Sequence, residues 1–119
     1  MSIAPGILPQ MDFVKVPNAL RWIRDLYEDE SRWTRGQMFR DADDHPSGQD
    51  EACKVCLMGA IFLSSRDAET RLELLMAIRE TEECSRSHPA SVLLLNDKGG
   101  LFAVRRALDE AIANHPQEI

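Results

Sequence analysis

The sequence lacks the features that mark several large classes of protein. Cysteine is scarce, with three residues in 119, and an odd number of thiols in a chain long enough to bury a core indicates reduced cysteines rather than a disulfide framework. No apolar run approaches the roughly 20 residues that span a bilayer. The N-terminus has no basic start followed by an apolar stretch, so we expect no secretory signal. These absences predict a cytoplasmic protein that does not enter a membrane.

Positive charge is also in short supply. The chain has 14 Lys and Arg against 20 Asp and Glu, which gives a formal net charge of −6. Arg35 and Arg40 are close in sequence and Arg105 and Arg106 are adjacent, but neither pair makes a basic stripe. Because phosphate backbones repel an acidic surface, we expect no direct binding to nucleic acid. A basic protein partner is electrostatically easier, although an acidic surface also simply keeps a small protein in solution.

No sequence motif for catalysis is present. The chain has neither a glycine-rich phosphate loop nor the elbow that presents a nucleophilic serine. Three Cys and three His residues allow a nucleophile and a base to be paired on paper, as they would in many chains. We therefore predict no catalytic residue and no cofactor, and favour a binding protein over an enzyme. A small enzyme whose site is assembled from scattered residues is kept as an alternative.

What the sequence does contain is the pattern of one helical domain. Its length suits a single domain, and its 44% apolar and 29% charged residues are typical of a globular protein. Residues 1–17, with three prolines, predict an extended arm. Residues 18–119 predict an all-α domain, a compact bundle of about four main helices. The apolar residues of the arm are expected to pack over their own core, with a weak homodimer through the arm as the alternative.

Hydrophobic periodicity places the main helices at 18–30, from after Asp50 to 64 or 65, from Asp67 to about 79, and at 101–114. The second is apolar over most of its circumference and should be the most buried, with Gly59 allowing another helix to approach closely. In the third, Leu72, Leu75, Met76 and Arg79 mark one line, with Leu74 and Ile78 beside it. Val92–Leu95 is too short to assign by periodicity, and we favour a helical turn or an extended buried segment over a strand in a sheet.

The spacing of Cys53 and Cys56 has three interpretations. With Cys84 and His88 these thiols supply the four ligands of a zinc site. Redox catalysis by the pair is less favoured, because the βαβ setting that usually accompanies it is missing, although a helix N-terminus would lower the pKa of Cys53. Alternatively, they are small, soft side chains inside a buried helix. The apolar run that follows Cys56 favours the buried helix, so we predict no metal and keep zinc as an alternative.

Four residues are the best candidates for an interaction site: Trp33, Arg35, Asn96 and Asp97. Asn96 or Asp97 could also cap the last helix or bond to its own turn. Trp33 is expected to lie nearby and donate its indole N–H to a carbonyl.

Three short motifs then suggest a relationship. Trp33-Thr34-Arg35-Gly36, Cys56-Leu57-Met58-Gly59-Ala60 and Asn96-Asp97 occur in that order before a closing helix. The chain resembles an uncharacterised family of small bacterial and phage proteins built on W-x-x-G, C-L-x-G-A and N-D, over about residues 18–114. It departs from the family at Leu95, where members usually carry Trp. The resemblance implies one compact helical domain of intracellular origin and no known activity. Together with the residues, it predicts a small intracellular protein-binding domain, adaptor-like or inhibitor-like.

Overall fold

The computed structural model describes residues 6–87 and 91–117, which fold into a mostly helical globule with one small sheet. The helices are α1 (Val16–Leu26), α2 (Leu57–Ser64), α3 (Ala68–Arg79), α4 (Glu82–Ser87), α5 (Val92–Leu94) and α6 (Gly100–Asn114). Two short strands, β1 (Phe39–Arg40) and β2 (Lys54–Val55), pair antiparallel. The helical architecture agrees with the prediction, whereas the sheet is a feature that the sequence pattern did not predict.

Helix α1 starts two residues before the predicted position and ends at Leu26, short of the predicted Glu30. Pro17 lies in its first turn, where a missing N–H costs nothing. The acidic run that follows Leu26 opposes the helix dipole. Asp29 instead caps a separate 3-10 turn at Glu30–Arg32 by accepting a hydrogen bond from the Ser31 amide.

Helix α2 corrects the prediction most strongly. It begins at Leu57 instead of directly after Asp50. Residues 49–51 form a 3-10 turn, and Lys54–Val55 are extended. The amides of Cys53 and Cys56 donate to the carbonyls of residues 40 and 38, at 2.8 and 3.1 Å, and so belong to the ladder beside β1. An unbroken apolar run cannot by itself distinguish a buried strand from a buried helix.

Gly59 is needed for close packing in α2, but against a strand segment rather than a helix. A Cβ atom built on Gly59 would lie 2.8 Å from the backbone oxygen of Met38 and would also collide with the Val55 side chain. The predicted close approach is therefore present, and its partner is the sheet.

Helix α3 follows its predicted bounds. The carboxylate of Asp67 accepts from the Thr70 amide at 3.0 Å and caps the helix, which ends at Arg79. Of its two apolar lines, the one through Leu74 and Ile78 is fully buried, whereas Leu72 on the other line is 60% exposed.

Val92–Leu94 form a short helix, with the Ser91 hydroxyl accepting from the Leu94 amide. Residues 95–99 continue as a π-helical segment, and Gly100, the first residue of α6, has a positive φ of 82°. This agrees with the helical-turn interpretation.

The described part of the N-terminal arm packs on its own chain. The amides of Leu8, Met11 and Phe13 donate to the carbonyls of Ala52, Leu63 and Ser64. Leu8 is 6% exposed and joins the core, and the Phe13 ring lies 6.4 Å from that of Trp22. The arm thereby supplies part of the cover over α2.

Candidate functional site

Asn96 is the centre of a buried polar cluster that joins three distant parts of the chain. Its side chain is fully buried. Its Oδ1 accepts hydrogen bonds from the Trp33 indole N–H at 2.8 Å and from the Leu57 amide at 3.0 Å. Its Nδ2 donates to the Thr34 carbonyl at 3.1 Å and to Asp97 Oδ1 at 3.0 Å. We call Trp33, Thr34, Leu57, Asn96 and Asp97 the polar node.

Every hydrogen-bonding position of the Asn96 side chain is satisfied within the node. An amide side chain offers two donors and an oxygen that accepts two bonds, and all four are used. The predicted cap lies on a different helix: Asn96 satisfies a free amide in the first turn of α2, and α6 has no side-chain cap. This geometry gives Asn96 a structural role.

Arg35 and Asp97 lie at the outer edge of the node. Asp97 Oδ1 accepts from the Gly36 amide at 3.3 Å, and the Asp97 carbonyl accepts from the Arg35 guanidinium at 3.3 Å. The same guanidinium lies 5.0 Å from the centre of the Trp33 ring. Gly36 has a φ of 78°, which favours glycine at this turn. The four predicted interaction residues thus lie together, and their contact with a partner stays a prediction.

The three thiols are free and buried. Burial raises the pKa of Cys56, while the amides at the start of α2 oppose the shift in part. Burial also raises the pKa of Cys84. Because the thiolate is the form that attacks electrophiles and binds metals, Cys56 and Cys84 are poor nucleophiles at neutral pH. Cys53 precedes β2 rather than opening a helix, so the helix N-terminus that was expected beside it is absent.

The zinc alternative needs ligands that converge. Among residues 6–87 and 91–117, no group of three or more His, Cys, Asp or Glu side chains could hold a metal ion. His88, the fourth ligand of the hypothetical site, lies outside the described residues.

A large groove, which sequence reasoning missed, lies between the arm, α3 and the end of α6. Its volume is about 950 Å³, and we call it the α3 groove. It is bounded by residues 14–18 of the arm and α1, by the outward face of α3, and by residues 114–117 at the end of α6. Its apolar side chains include Val14, Leu72 and Met76, which are 66%, 60% and 39% exposed.

The rim of the α3 groove carries more negative than positive charge. Glu73 and Glu80 line it together with Lys15. Within the described part of the chain neither glutamate forms a salt bridge. Their charges therefore remain available to a ligand.

The apolar surface continues beyond this groove. A smaller hollow of about 170 Å³, lined by Met38, Met58, Phe62 and neighbouring residues, shares Leu72 with it. The Arg71 guanidinium lies 3.5 Å from the centre of the Phe62 ring and covers part of this surface. The shared leucine makes one apolar face across α3.

The signal for this face was present in the sequence. Helix α3 has apolar residues on two lines, one through Leu74 and Ile78 and the other through Leu72 and Met76. A helix with one buried stripe requires only one such line, so the second line marks surplus apolar surface.

Comparison with known proteins identifies the family. The chain matches the family model "Family of unknown function (DUF6197)" over residues 11–114. The chain belongs to this family. The DUF6197 match includes the entire polar node and all of the α3 groove except residues 115–117. No curated protein and no solved structure gives a significant match.

The sequence of this DUF6197 chain predicted a protein that does not enter a membrane. In the two described ranges, none of the helices has the length and the apolar character that crossing a bilayer demands.

Proposed function

We propose that this chain is a protein-binding domain that docks its partner on the α3 groove. The observation that carries the proposal is the exposure of Leu72, at 60%, at the point where the groove and the smaller hollow meet. Contiguous apolar surface of this kind is typical of interaction sites. The core does not need Leu72 or Met76, since Leu74 and Ile78 already fill it from the same helix.

The rival functions have weaker support. A zinc-stabilised domain would use Cys53, Cys56, Cys84 and His88, but the thiols are buried and burial raises the pKa of Cys56 and of Cys84. An enzyme whose site is assembled from scattered residues is the second rival, and no catalytic motif in the sequence supports it. A groove that accepts a peptide requires neither arrangement.

The cellular role proposed for this binding is that of a small intracellular adaptor or inhibitor. The net charge of −6 supports a protein partner over nucleic acid. A weak homodimer through the arm also stays a proposal, with Ile7 and Val14 as its exposed apolar residues.

Site-specific crosslinking tests the proposal. A photoreactive phenylalanine analogue replaces Leu72 in cells that naturally express the protein. The matched control carries the analogue at Leu93, an equally apolar residue of α5 that is 53% exposed. We expect irradiation to yield a discrete protein adduct from position 72 and not from position 93.

Two results would contradict the proposal. Adducts from position 93 alone would move the docking surface to α5. The absence of any protein adduct from position 72, in cells where the variant is folded and abundant, would remove protein binding from this face.

A further inference from the structure

We infer that the occupant of the α3 groove is a basic amphipathic helix of another protein. This inference rests on the proposed function and deepens it by naming the secondary structure and the charge of the partner. The two features come from separate observations, the shape of the groove walls and the charge of its rim.

The groove walls favour a helix over an extended peptide. A peptide that binds by strand addition needs a sheet edge to complete its backbone hydrogen bonds. The described residues that line the α3 groove include none from β1 or β2. A helix needs no such edge, because it satisfies its backbone hydrogen bonds internally.

The spacing of the apolar side chains sets the size of the partner. The floor of the groove extends along α3 from Leu72 to Glu80, about 12 Å at the helical rise. Leu72 and Met76 lie one turn apart, and Val14 faces the same space from the arm. Two turns of a partner helix match this length, with anchors at i, i+3 or i+4, and i+7. The flexible thioether of Met76 can adapt to such anchors.

The rim charges favour a basic partner. Glu73 and Glu80 are exposed on the outward side of α3, two turns apart, and Glu69 lies one turn before Glu73. Among the described residues that line the groove, the basic side chains are those of Lys15 and His115. Lys or Arg residues flanking the partner's apolar stripe would complement these carboxylates and accelerate association.

Selection from a peptide library tests the inference. A displayed library of random 16-residue peptides is selected on the folded full-length protein and counter-selected on its L72D variant. L93D, a change of the same chemistry on α5, is the control that should retain binding. We expect Leu72-dependent peptides with apolar residues at helical spacing and an excess of Lys and Arg. Circular dichroism should show helix formation when a recovered peptide binds.

The charge component has its own readout. Reversal of both rim charges in the E73K/E80K variant should weaken the recovered peptide roughly fivefold in fluorescence anisotropy, on the order of 0.5 kcal/mol per exposed pair. The loss should shrink at high salt, since the interacting groups are exposed. The E51K variant, altered at an exposed glutamate outside the groove, should bind with unchanged affinity.

The outcomes separate this inference from the proposed function. Leu72-dependent peptides that are acidic, proline-rich or patterned as strands would overturn the basic helix and leave protein binding at the groove intact. The absence of any Leu72-dependent peptide, together with no crosslink from position 72, would overturn both. A homodimer that sedimentation detects in the wild type and not in L72D would replace the partner helix with a second copy of this chain.

Discussion

At the scale of single residues, Asn96 is the most constrained polar group described. It is fully buried, and each of its four hydrogen bonds ends on a different partner. Buried polar networks of this kind stabilise a fold only when every member is satisfied. Truncation would leave the indole N–H of Trp33, the Leu57 amide and the Thr34 carbonyl without their partner.

The N96A variant should therefore lose roughly 2–4 kcal/mol in the free energy of unfolding, because unsatisfied buried groups cost about 1–3 kcal/mol each and the losses are not additive. Urea denaturation followed by circular dichroism measures the change. N114A, which alters an exposed asparagine at the end of α6, should stay within about 0.5 kcal/mol of the wild type. Equal stability of the two variants would show that the node contributes little.

At the scale of elements, the fold depends on the close approach between α2 and the β1–β2 pair. Gly59 has no Cβ, and the Met38 backbone occupies the space where one would lie. Tyr27 is fully buried in the loop after α1. Its hydroxyl donates a hydrogen bond to the Val55 carbonyl at 2.9 Å and so ties β2 to this loop. The small sheet is thereby held between α2 and the loop after α1.

The G59A variant tests the close approach of α2 to the sheet, because helix propensity and packing predict opposite changes in stability. Helix propensity alone predicts that Gly to Ala inside a helix stabilises by about 1 kcal/mol. We expect the opposite, a loss of roughly 1–3 kcal/mol from overpacking, visible as a lower melting temperature in calorimetry. G48A serves as the control, since no atom lies within 4 Å of a Cβ built there. An increase in melting temperature for G59A would mean that α2 and the sheet separate easily.

At the scale of the whole molecule, the thiols report on global unfolding. Cys53, Cys56 and Cys84 are each 4% exposed or less, so a bulky reagent reaches them only when the structure opens. For Cys56 and Cys84 the folded pKa lies above the unfolded value. Their contribution to stability is therefore fully present below the unfolded pKa and is lost as pH rises through the folded pKa.

An Ellman assay at pH 8 should accordingly detect no fast-reacting thiol in the native protein and three in denaturant. The free energy of unfolding should fall above about pH 8.5, where unfolded thiols ionise. A C56A/C84A variant should show a shallower alkaline decline. One thiol reacting at the rate of a free cysteine in the native state would contradict the buried arrangement.

The sequence predicted the helical class, the bounds of α3 and α6 to within a residue or two, and the proximity of Trp33 to the Asn96-Asp97 pair. Hydrophobic periodicity located the helices because one face of each helix is buried. It failed at residues 50–56, because Val55 and Cys56 continue into the apolar residues of α2 without a break. It showed two apolar lines on α3 but not which of them is buried, because the lines through Leu72 and through Leu74 look alike until the packing of neighbouring helices is known.

The polar node draws its groups from both halves of the chain. The indole, the Thr34 carbonyl and the Leu57 amide come from residues 33–57, whereas the carboxamide that joins them comes from residue 96. A fragment ending before residue 91 would keep these three groups without their hydrogen-bond partner. The complementary fragment would carry the Asn96 carboxamide without the groups that it binds. If the chain were cut here, its two fragments would therefore have to associate to complete the polar node.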